Sequence, residues 1–153
     1  MNFALQAAEA RAWLRPVFDF VRKLSTPPSV LIVDEDLGFL GWLGDLFSEA
    51  GYRALPALSC RQALALIRQY DLDVDVLAVD EGLPGVSGMI GLLQRARRPL
   101  KIVAIRSRTS DYVADIPAHA TIERPSGWEP ISRPLWLKKV LAVLKQAEAR
   151  AAV

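Results

Sequence analysis

The chain has few of the residues that staple or anchor a fold. Cys60 is its only cysteine among 153 residues, so an intramolecular disulfide is ruled out and nothing marks an oxidising compartment. Cytoplasm is the expected location. Basic residues outnumber acidic ones by only 19 to 17, and the resulting charge of +2 is too small to imply a nucleic-acid partner through phosphate neutralisation. No long uncharged apolar run occurs, and Glu9 and Arg11 break up the N-terminal pattern, so neither a signal peptide nor a membrane-spanning helix is expected. Cys60, the single histidine His119 and the Ser and Thr residues form no recognisable nucleophile constellation; His119 reads as a surface loop residue. A phosphate-binding glycine loop is also missing, since Gly38, Gly41 and Gly44 fall inside a predicted helix, where they would permit close packing.

The composition is that of a globular domain: 52% apolar and 24% charged, at a length that suits one domain and an appendage. Residues 3–24 place Leu5, Trp13, Leu14, Val17, Phe18, Val21 and Leu24 at helical spacing, with Pro16 as a kink or a fresh start. A stiff Ser-Thr-Pro-Pro-Ser linker follows. Residues 1–28 therefore read as a helical extension, able to bury its apolar stripe against the domain or a second copy in a homodimer, and residues 29–153 as the domain proper.

In that domain apolar bursts alternate with helical stretches. Strands are expected at 30–33, 52–55, 74–79 and 102–105, with a short fifth near Ile131. Helices are expected at 37–50, after the Ser59/Gln62 capping box, from a Ser87 cap to about residue 98, and finally with Leu137, Val140, Leu141 and Leu144 on one face. Residues 107–127 carry no sustained period. Alternating strands and helices imply an α/β fold, a doubly wound five-stranded parallel sheet of flavodoxin-like order.

Ligands in such sheets bind beyond the carboxyl ends of the strands. Asp34, Glu35 and Asp36 end the first strand; Asp80 and Glu81 end the third. Neighbouring strands would bring these acids into one crevice, and the repulsion calls for a divalent cation or a basic side chain. Oxygen ligands alone would favour magnesium. Asp36 reads as the cap of the following helix.

These segments resemble the receiver domain of two-component response regulators. Val30-Leu31-Ile32-Val33-Asp34-Glu35-Asp36 is similar to the family's first strand and metal-binding acidic pair. The segment from Asp75 to Gly88 resembles the phosphoacceptor stretch, with Pro84 and Gly88 four and eight residues after Asp80. Ile131-Ser132-Arg133-Pro134 is similar to its fifth strand and Lys-Pro pair. The resemblance implies a phosphoacceptor at Asp80 and magnesium held by Asp34, Glu35, Asp80 and the Gly82 carbonyl. It also implies protein partners, a sensor histidine kinase or a downstream signalling protein, and a signalling module rather than an enzyme.

The departures fall on the switching residues. Arg106 stands at the hydroxyl position, with Ser107 one residue on, and Arg133 aligns with the lysine. Arg124-Pro125 is an alternative placement that misaligns the last helix. Arginine is a planar fork, not a compact ammonium. An atypical stand-alone receiver, a pseudo-receiver, is expected, with Arg106 or Arg133 pointing into the acids, weak magnesium affinity and weak or absent phosphorylation. The alternative is a conventional magnesium-dependent phosphoacceptor, or the receiver fragment of a longer regulator with a DNA-binding or enzymatic output.

Overall fold

The structure, a computed structural model, describes residues 16, 26–95, 99–107, 115–125 and 133–151. The expected N-terminal helix, its apolar stripe and the Ile131 strand lie outside the described residues. So does most of the stretch that would form a helix between the fourth and fifth strands.

The elements run β1 Ser29–Val33, α1 Leu37–Glu49, β2 Arg53–Ala57, α2 Cys60–Tyr70, β3 Val76–Asp80, α3 Val86–Gln94, β4 Lys101–Ser107, β5 Ala120–Arg124 and α4 Arg133–Ala151. All strand pairs are parallel, in the order β2-β1-β3-β4-β5. Every residue of β1 is buried, as its unalternating apolar run requires when helices cover both faces. Successive strand residues supply two separate cores: Val30, Ile32, Ala78, Val103 and Ile105 pack with Phe39, Leu43, Phe47, Trp136, Val140 and Leu144 on one side. Leu31, Val33, Leu77, Val79 and Ile102 pack with Ala63, Met89 and Ile90 on the other.

Local signals set the helix ends. Asp36 caps α1, its Oδ1 accepting the Phe39 N–H at 3.1 Å, and Gly51 beyond the end takes φ 92. Ser59 caps α2 by accepting the Gln62 N–H at 3.0 Å; Gln62 reaches back to the Leu58 N–H, one residue short of the usual box partner. α3 departs from expectation. It starts at Val86 after a left-handed Gly85 with no side-chain cap, so Ser87 sits inside the first turn.

The last strand is the main correction. β5 lies at 120–124, not near Ile131, and its burial alternates along the strand because it forms the sheet edge. His119 is not a free loop residue: its N–H donates to the Ile102 carbonyl at 2.8 Å and its Nδ1 accepts the Ile102 N–H at 3.0 Å, extending the β4–β5 ladder. In α4 the buried residues are Trp136, Val140, Leu144 and Ala147, and Leu141 faces outward.

Candidate functional site

The register of β1 on β3 pairs Val33 with Val79, so the next residues, Asp34 and Asp80, emerge side by side at the carboxyl edge. Asp34 is fully buried. Its N–H donates to the Ala57 carbonyl at 3.1 Å and its Oδ1 accepts the Asp36 N–H at 2.8 Å. Asp80 remains partly open, and its Oδ1 accepts the Gly82 N–H at 2.9 Å. Gly82 is fitted to that contact, since a Cβ there would stand 3.3 Å from the same oxygen.

Arg124, the last residue of β5, supplies the cation. Its Nη2 donates to Asp34 Oδ2 and to Asp80 Oδ2, the latter at 3.2 Å, and its Nη1 lies 3.8 Å from Asp36 Oδ2. The guanidinium carbon sits 4.9 Å from the centre of the Phe39 ring, a cation–π contact that fixes the fork from its apolar side. Its Nε is buried without an acceptor. Burial pushes the Asp34 carboxyl above its ordinary range. The Asp36 N–H and the Arg124 charge oppose that push, and Asp80 adds to it.

A second pair closes the edge beside it. Glu81 is buried and accepts from Arg106, Nε to Oε1 at 2.7 Å and Nη2 to Oε2 at 3.4 Å, while its own N–H donates to the Ile105 carbonyl at 3.2 Å. Arg106 therefore turns to Glu81 rather than to Asp34 or Asp80. Ser107 ends β4 directly opposite Arg124 in the strand register.

Arg133 does not stand at the lysine position. It opens α4 and pairs with Glu49 at the end of α1, Nε to Oε1 at 2.8 Å, because the edge strand ends nine residues earlier, at Arg124-Pro125. Glu35 is exposed. Of the acids expected to converge, the structure thus joins Asp34 and Asp80, adds Asp36, and leaves Glu35 on the surface. In the sequence Arg124-Pro125 is only the alternative placement of the lysine position, because no strand is expected at 120–124; the Glu81–Arg106 pair has no sequence signal.

Neither a protein-family model nor any curated protein sequence matches the chain. Solved structures do. A response regulator receiver protein from Sinorhizobium medicae is 15% identical, aligns over 83% of this chain and 98% of its own, and superposes with a TM-score of 0.60. A putative response regulator from Chloroflexus aurantiacus gives 23% identity, 78% and 99% coverage and 0.57. The chemotaxis response regulator CheY4 of Vibrio cholerae gives 20%, 77% and 99%, and 0.53. The chain has the response-regulator receiver fold.

The receiver fold implies a magnesium ion among the strand-end acids, and the arrangement here does not fit one. Both oxygens of Asp34 and both of Asp80 already accept from Asp36, Gly82 or Arg124. Among the described residues no three Asp, Glu, His or Cys side chains gather as a metal-ligating set. Magnesium needs several oxygens at about 2.0–2.1 Å in octahedral array. No helix of the described residues is long and apolar enough to cross a membrane.

Proposed function

We propose that this receiver-like chain acts in two-component signal transduction as an atypical receiver, working through contact with a protein partner and not as an enzyme. Asp80 is weakly phosphorylated or not at all. The observation that carries this reading is the Arg124 fork bridging Asp34 and Asp80, which takes up the Asp80 oxygen that the Gly82 N–H leaves open. The hydroxyl position supports it, because Arg106 is committed to Glu81 and offers no small hydroxyl to a phosphoryl group. A sensor histidine kinase or a downstream signalling protein is the partner this reading favours.

The test is incubation with a small phosphodonor and magnesium followed by intact mass, with Asp80→Asn as the control. The wild-type mass is expected to stay unchanged. Rapid, near-complete gain of one phosphoryl group in the wild type and none in Asp80→Asn would establish the conventional phosphoacceptor instead.

A further inference from the structure

We propose that the Arg124 guanidinium is the resident cation of the strand-end crevice, so that the domain holds its acidic site together without a divalent metal. This rests on the receiver reading only for the identity of the crevice; the charge geometry stands without it. Three carboxylates, Asp34, Asp36 and Asp80, face one guanidinium, and two of them share its Nη2. The cation comes from the far edge of the sheet. β5 is two strands from β3, about 10 Å along a flat sheet, so the side chain crosses the end of β4, helped by the sheet twist. That reach suits a long side chain with a forked end, and the Phe39 face steadies the fork from the opposite side.

A tethered cation differs from a dissolved one. It cannot diffuse away, and a magnesium ion entering here would have to shed water, displace Arg124 from two carboxylate oxygens and then sit beside its positive charge. The crevice thereby carries a compensating cation of its own in the absence of metal. Its neighbour, the Glu81–Arg106 pair, repeats the arrangement one strand position away, so both acids at the end of β3 are held by arginines.

Titration of the full chain with magnesium, followed by calorimetry and by thermal melting, tests this directly. The wild type is expected to give no saturable heat and no magnesium-dependent shift in Tm. Arg124→Met frees Asp34 and Asp80 and is expected to gain at least roughly tenfold in magnesium affinity by relief of one adjacent like charge. Its melting temperature should rise as magnesium is added. Should Arg124→Met fail to fold, Arg124→Lys keeps the like charge but cannot hold the fork's contacts, so it opens carboxylate oxygens and is expected to gain in the same direction by a smaller factor. Adding Asp80→Asn to the variant that gains binding should abolish the gain. Saturable binding by the wild type with the variant's affinity, no gain in either variant, or a gain that survives Asp80→Asn would each overturn the proposal. Phosphorylation of wild-type Asp80 would instead overturn the functional reading above, and magnesium titration without phosphodonor keeps the two failures apart.

Discussion

At Asp34, burial and charge act in opposite directions. Burial disfavours the ionised carboxylate, while the Asp36 N–H and Arg124 favour it, and burial wins, so the native value lies above the ordinary 3.8. A raised native value means that protonation favours the folded state. The contribution is fully present below the ordinary carboxylate range and is lost as pH rises through the raised value. Asp34 is therefore a net liability at neutral pH. Asp34→Asn keeps an oxygen for the Asp36 N–H and removes the titration, so its Tm should exceed that of the wild type at neutral pH. The difference should shrink as pH falls toward 3.8. Thermal melts across that interval decide it, and a lower Tm for the variant at neutral pH would mean that the Arg124 pairing outweighs burial. The Glu81–Arg106 pair gives a separate test, since buried Glu81 accepts from the Arg106 Nε at 2.7 Å. Arg106→Ala leaves Glu81 buried and unpaired and should lower Tm, whereas adding Glu81→Gln should restore part of the loss.

Among the elements, those buried on both faces were legible and the edge strand was not. β1, β3 and β4 announce themselves as short branched runs because helices cover them on both sides. Among the described residues β5 is hydrogen-bonded only to β4, and its Ala-Thr-Ile-Glu-Arg alternates between core and solvent. The apolar burst sought near Ile131 is the wrong pattern for such a strand, and that misplacement carried the lysine position to Arg133. The acids at β1 and β3 were legible because they terminate the clearest strands; their cation was not, because it terminates the faintest. Helix glycines separate in the same physical way. In α1 a Cβ added at Gly44 would meet the Ala54 Cβ at 3.7 Å, an ordinary contact, whereas one added at Gly41 would meet nothing within 4 Å. Gly41→Ala should therefore stabilise the protein by about 0.5–1 kcal/mol in denaturant titrations, through the helix preference alone. Gly51→Ala should do the reverse by about 1 kcal/mol or more, since its φ of 92 suits only a residue without a Cβ.

For the whole molecule, the sheet order brings β1 and β3 together at its centre, and α1 and α4 cover one face while α2 and α3 cover the other. The likeness to receivers at 15 to 23% identity shows how far this arrangement tolerates change once the alternating pattern is kept. The apolar stripe of the N-terminal extension lies outside the described residues, and its sequence makes a definite demand. Trp13, Val17, Phe18 and Val21 recur at helical spacing within residues 3–24, and burying each large side chain gains about 1.5–3 kcal/mol. A stripe of four such residues has two ways to realise that gain, against the domain or against its copy in a dimer. Deleting residues 1–26 separates the two cases. If the stripe covers its own domain, Tm falls by about 2–4 °C per kcal/mol lost in a chain of this size, and the mass in solution remains monomeric. If it joins two copies, light scattering shows a dimer in the full chain and a monomer after deletion, and the Tm of the full chain alone depends on protein concentration. Unchanged Tm together with unchanged mass would show that the stripe is buried in neither place.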